Sequence, residues 1–219
     1  MSTLTETHPQ AAPVDPAEVT TVLVVDDHQA VRLGIQMLLD DEPGIEVVAS
    51  AGSYDEGLEE AERFRPDIAV VDYHLPDRDG LALTRALVTP ASPPRVLVFS
   101  AYADERLGLA ALVAGADAIL GKNTLGLELC YLIDALARGE RCRFQISTGV
   151  LASVGEELEP QDRPILGMLA AGTDPGEIAG VLGLTDDQLS ARRSAMLKAL
   201  KAPPRISEPP GSISPKGDL

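Results

Sequence analysis

A chain of 219 residues with 34 Asp and Glu against 18 Lys and Arg carries a formal charge of −16, which excludes attraction to nucleic acid or to anionic membranes by bulk charge alone. Its 45% hydrophobic and 24% charged residues are ordinary for a globular protein. No segment approaches the roughly 18 consecutive apolar residues of a membrane span.

The first twenty residues, rich in Thr, Pro, Ala and Glu, lack the basic flank and apolar core of a signal peptide. They read as a disordered arm, and the chain is expected in the cytoplasm. Cys130 and Cys142 are too few for a disulfide framework and lack zinc-site spacing, so they read as buried or incidental thiols. The acidity is uneven: residues 1–150 sum to −13 and the remainder to −3.

Five short apolar runs follow, at 22–25, 45–49, 68–71, 96–99 and 118–120. Segments with helical spacing separate them at 30–39, 54–64, 81–88 and 109–113, and a fifth follows at 125–137. Strand and helix alternate five times, which predicts an α/β fold: a doubly wound, five-stranded parallel sheet with helices on both faces.

What ends each strand is informative. The first stops on Asp26 and Asp27, the third on Asp72 before a Pro/Asp/Gly turn, the fourth on Ser100, and Lys122 closes the fifth. In a parallel sheet these ends share one edge, so three carboxylates, a hydroxyl and an ammonium are expected to converge where open α/β sheets bind ligands. Two carboxylates about 4 Å apart repel by roughly 4 kcal/mol at an effective dielectric near 20. That is a large share of a domain stability of about 5–15 kcal/mol, so a bare acidic cluster is a poor structural device. A hard divalent cation turns the same repulsion into affinity, and Mg²⁺ fits because it takes a few carboxylates and keeps other positions for water and substrate oxygens. With Lys122 and Ser100 beside it, the layout suits phosphoryl transfer to Asp72. The simpler reading of Asp-Asp after a strand is a helix start. His28 and His74 flank the acids, but they lack ligand spacing and read as loop residues.

The run Val-Val-Asp-Asp at 24–27, Asp72 followed by Leu75-Pro76 and Asp79-Gly80, Ser100, and Gly115-Ala116 ahead of Lys122 together resemble a response-regulator receiver domain of flavodoxin-like fold. The resemblance implies that Asp72 is the phospho-acceptor and that Asp27 ligates Mg²⁺ directly. Asp26 would assist through water, and the His74 main-chain carbonyl would complete the protein ligands. Ser100 and Lys122 would sense and neutralise the phosphoryl group. Ile119 stands where such domains usually carry a switching Tyr or Phe. Because the site phosphorylates itself, the chain is not expected to be an enzyme.

Gly139 is a helix stop, and residues 139–157 mix Arg, Ser, Gly and Glu, which places a linker there. Apolar positions from Leu158 to Leu200, punctuated by Gly172, Pro175-Gly176 and Gly183, predict a small all-α unit. Thr185 to Gln188 has capping-box spacing and opens the last helix. This stretch is similar to the LuxR-type helix-turn-helix of NarL/FixJ-type regulators, which implies transcription control through double-stranded DNA, a partner histidine kinase and a homodimer. The DNA-contact candidates are Gln188, Ser190, Ala191, Arg192, Arg193, Ser194, Lys198 and Lys201. Ser190 and Ala195 stand where Lys and Arg are usual, and Arg193 fills a normally apolar slot. The alternative is an atypical regulator whose helical unit binds protein, with control independent of phosphorylation. The expected division is an arm to residue 20, a receiver over 21–138, a linker over 139–157, a helix-turn-helix over 158–202, and a disordered Pro/Ser/Gly tail over 203–219.

Overall fold

The computed structural model describes residues 19–89, 92–124, 126–140, 142 and 146–200. Residues 1–18 of the expected arm and the whole of the expected tail lie outside them, as do Lys201 and Ala202, whereas Thr20, expected in the arm, opens the first strand. Strands β1 (Thr20–Val25), β2 (Ile45–Ala51), β3 (Ile68–Asp72), β4 (Arg95–Ser100) and β5 (Ala118–Gly121) form one sheet in the order β2-β1-β3-β4-β5. Every pairing is parallel. The sequence order of strands reverses between β1 and β3, so the crevice of this doubly wound sheet opens at the ends carrying Asp26 and Asp72.

Strand alternation sorts the helices into layers. Val22, Val24, Ile68, Val70, Leu97 and Phe99 pack with residues of α1 (Gln29–Asp40) and α5 (Gly126–Ala137). Their neighbours Leu23, Val25, Ala69, Val71 and Val96 pack on the opposite face with residues of α2 (Tyr54–Phe64) and α3 (Gly80–Leu87). Local chemistry starts these helices: Ser53, Asp79 and Asp104 accept the N–H groups of Glu56, Ala82 and Leu107, capping α2, α3 and α4 (Glu105–Ala114).

Helix α4 is different. Its Leu107, Gly108, Leu109, Ala110, Ala111, Val113 and Ala114 are all buried, so no broad face is left for water. The sheet covers one side, and the C-terminal helices α6 (Thr148–Glu156), α7 (Arg163–Ala170) and α9 (Asp186–Ala199) cover the other. A single apolar cluster joins Val98, Leu107 and Val113 to Val154, Ile165, Leu169, Leu189 and Met196. Helix α8 (Pro175–Leu182) packs on α7 and α9.

Within the stretch expected as linker, residues Thr148–Glu156 form helix α6. Ser147 accepts the Val150 N–H as its N-cap, and Val154 is buried, with Leu158 beyond the helix end. Gly149, Ser153 and Gly155 dilute its sequence pattern, yet Val150, Leu151 and Val154 lie on the side that meets the core.

Candidate functional site

The strand ends converge as their residue types predicted. Asp26, Asp72 and Ser100 are each 2% exposed or less, while Asp27 stands in solvent. Lys122 Nζ lies 2.6 Å from Asp26 Oδ2 and 2.8 Å from Asp72 Oδ2, bridging the two buried carboxylates across the crevice. Its contact with Asp26 Oδ2 is ionic without hydrogen-bond alignment, and that buried oxygen takes no hydrogen bond. The Lys122 N–H donates to the Ser100 carbonyl at 2.8 Å, so the end of β5 is tied to the end of β4.

Backbone geometry fixes the acceptor strand. The Gly80 N–H donates to the Tyr73 carbonyl at 2.8 Å, folding the loop back over the end of β3. A Cβ at Gly80 would lie 2.0 Å from the Asp72 carbonyl oxygen, so this approach requires glycine. The His74 N–H donates to the Asp72 carboxylate, and the His74 ring meets Tyr73 and Tyr102 edge-on. Burial pushes the Asp72 carboxyl above its ordinary range, against the opposing pull of Lys122.

Asp26, Asp27, His28 and Asp72 each offer one ligand atom, all within 4.8 Å of one another. The hard carboxylate oxygens and the unbonded Asp26 Oδ2 fit a divalent cation. His28, expected only as a loop residue, holds its Nδ1 2.6 Å from Asp27 Oδ1, and its N–H donates to Asp26 Oδ1 at 2.9 Å. Arg32, which no sequence signal singled out, donates to the Asp26 carbonyl at 2.6 Å. Tyr102 was missed as well; its N–H donates to Ser100 Oγ at 3.2 Å. Ile119 is half-buried and packs against the apolar cluster shared by α4 and the C-terminal helices.

Residues 22–134 match the model of the response regulator receiver domain. The chain belongs to the response-regulator family. Over its length this regulator is 31% identical to the DNA-binding transcriptional activator DevR/DosR of Mycobacterium tuberculosis, in an alignment covering 82% of this chain and 87% of that one. It is 30% identical to the nitrate/nitrite response regulator protein NarL of Escherichia coli, covering 86% and 93%. It is thus a regulator of the NarL/LuxR type. Its fold extends in the same way: the response regulator RcsB in its DNA complex superposes with a TM-score of 0.56 at 19% identity, covering 83% of this chain and 92% of that one.

Helix α9 of the regulator carries most of the other candidate residues. Thr185 and Gln188 close a reciprocal capping box at its start. Gln188, Ala191 and Lys198 are exposed. Others are engaged within the chain. Arg193 Nε donates to the Val113 carbonyl of α4 at 2.9 Å, and Arg85 of α3 donates to the carbonyl and Oγ of Ser190 at 3.2 and 3.0 Å. Arg192 reaches the Gln161 carbonyl and Asp162, and Ser194 Oγ donates to the Ser190 carbonyl. Arg193 in its apolar slot is therefore a contact between α9 and α4. Beside it, Arg106 of α4 makes a two-point pair with Glu157 at 2.7 Å and donates to the Leu200 carbonyl at 2.8 Å.

Proposed function

We propose that this response regulator takes a phosphoryl group onto Asp72 from a histidine kinase and controls transcription by binding double-stranded DNA as a homodimer in the cytoplasm. The observation that carries the first step is Lys122 Nζ held within 2.8 Å of both buried carboxylates. An Asp72 oxygen attacks phosphorus in line, the bond to the donor breaks, and an acyl phosphate results. Lys122 moves charge compensation onto the phosphoryl oxygens, and Ser100 Oγ donates to one of them. Asp26, Asp27, Asp72 and the His74 carbonyl would hold Mg²⁺, whose charge there offsets that of the incoming phosphoryl group. Ile119 replaces the aromatic switch, so transmission runs through the packing of α4.

Output is assigned to a C-terminal unit that begins at α6 and includes α7, α8 and α9, with residues 21–138 as the receiver. Gln188, Ala191 and Lys198 of α9, with Lys201 beyond the described residues, would face DNA. Ser190 and Arg193 join them only after α9 parts from α3 and α4, so DNA binding requires the two units to separate. The experiment compares wild type with Asp72→Asn in Mg²⁺ and a labelled phosphodonor. Stoichiometric labelling of wild type and none of the variant is expected, and equal labelling overturns the acceptor assignment. Selection from a random duplex library, with and without phosphodonor, tests the output. Donor-enhanced enrichment of one motif is expected, and no enrichment overturns it.

A further inference from the structure

Asp26 is held at nearly every polar atom it owns. Its N–H donates to the Ala51 carbonyl at 3.1 Å, tying the end of β1 to that of β2, and its Oδ1 accepts the His28 N–H at 2.9 Å. Its carbonyl lies past the last residue of β1, and among the described residues the donor recorded for it is Arg32 Nη1 at 2.6 Å. What remains is Oδ2, the buried oxygen without a hydrogen bond that shares Lys122 Nζ with Asp72.

Arg32 is built into that corner. It is half-buried on the first turn of α1, where its own N–H and that of Val31 both donate to the His28 carbonyl. Its guanidinium lies over Gly52, just past the end of β2. A Cβ added there would sit 3.4 Å from Arg32 Nη1 and 3.5 Å from Glu56 Oε2, which accepts the Gly52 N–H at 2.7 Å. The side chain thus runs from α1, past Gly52 and the first turn of α2, to the peptide that follows β1. Among the described residues His28 makes no side-chain capping bond at the start of α1. The turn over 26–28 is therefore held by Asp26 Oδ1 and by Arg32.

The peptide joining Asp26 to Asp27 carries one acidic side chain at each end, so rotating it turns both carboxylates at once. A carbonyl in a buried corner that loses its donor turns toward another one, and the peptide turns with it. We infer that Arg32 is a positioning residue for the metal site: its bond to the Asp26 carbonyl fixes the Asp26–Asp27 peptide, and with it the spacing of the two carboxylates. The inference rests on the assignment of Mg²⁺ to Asp26, Asp27 and Asp72. Partners that orient metal ligands without touching the ion account for about 10–100-fold in affinity. As a charge alone Arg32 would act in the opposite direction, because a cation near the site repels Mg²⁺. The two roles therefore differ in sign.

Calorimetric titration of MgCl₂ into the full-length protein, without phosphodonor, reads the effect directly. Wild type is expected to bind Mg²⁺, and Asp27→Asn to lose that binding. Arg32→Met should weaken Mg²⁺ by at least about tenfold, and Arg32→Lys, which keeps a donor and the charge, should bind between the two. With a labelled phosphodonor, the Mg²⁺ concentration that half-saturates labelling should rise by the same factor in Arg32→Met. Failure of wild type to bind overturns the metal site and this inference together. Binding by wild type that Arg32→Met leaves unchanged or tightens overturns the inference alone, the first result giving Arg32 a purely structural role and the second making it a counter-charge. If Arg32→Met does not fold, Arg32→Gln takes its place with the same outcomes.

Discussion

At the scale of single residues, Asp72 is costly in the absence of a ligand. Its carboxyl titrates above its ordinary value because burial disfavours the anion more than Lys122 favours it. A carboxyl with a raised folded pKa contributes stability that is fully present below its unfolded value, 3.8, and is lost as pH rises through the folded value. Asp72→Asn keeps the shape and removes that loss. Thermal unfolding at pH 7 should therefore show the variant melting higher, by roughly 2–4 °C for about 1 kcal/mol in a chain of this size. The difference should vanish as pH falls below 3.8. An unchanged or lower melting temperature at pH 7 would mean that Lys122 fully compensates the burial.

At the scale of elements, helix ends were the readable part. The Thr185–Gln188 spacing announced a capping box, and both of its hydrogen bonds are present at 2.9 and 3.2 Å. Thr185→Ala should cost about 1 kcal/mol in urea unfolding, with α9 the first element to lose hydrogen-exchange protection. A loss below a few tenths would mean that packing of Leu189 and Met196 alone holds the helix start. The strands were legible for a plain reason: β1 to β4 are short runs rich in β-branched residues, and β1, β3 and β4 run into Asp26, Asp72 and Ser100. Helix α6 was not. Its Val150, Leu151 and Val154 are three apolar residues among glycine and serine, too few to declare a period, and only the surface of α4 opposite them makes the helix worth forming.

At the scale of the whole molecule, α4 decides how the halves sit. Its sequence is apolar on all sides, unlike the amphipathic α1 and α2, and such a helix must be covered twice. Around that seam Arg106 holds Glu157 and the Leu200 carbonyl, and Glu105 accepts the Ser147 N–H at 2.7 Å. Arg106→Ala removes a side chain that ties α4 to both the end of α6 and the end of α9. Small-angle scattering should then report a larger radius of gyration, and DNA retention without phosphodonor should rise. Unchanged scattering would assign closure to the apolar cluster and the remaining contacts of Glu105, Arg193 and Arg85. Among the described residues no helix is long and apolar enough to cross a membrane.

The sequence by itself determined the sheet, its parallel sense and the edge where Asp26, Asp72, Ser100 and Lys122 meet. Strand ends in a parallel sheet fall on one side whatever the details of packing. It also determined the start of α9, because capping is a bond between residues three apart. Only the tertiary structure decided that Lys122 bridges two carboxylates, that Arg32 and Tyr102 attend the site, and that Arg193 turns toward α4. These are contacts between residues far apart in the chain or set by loop geometry, with no period or motif to mark them. Arg193 is the clearest case. From its helix alone it is one more cation available for phosphate, and its place against Val113, 80 residues earlier, exists only because α4 and α9 share one core.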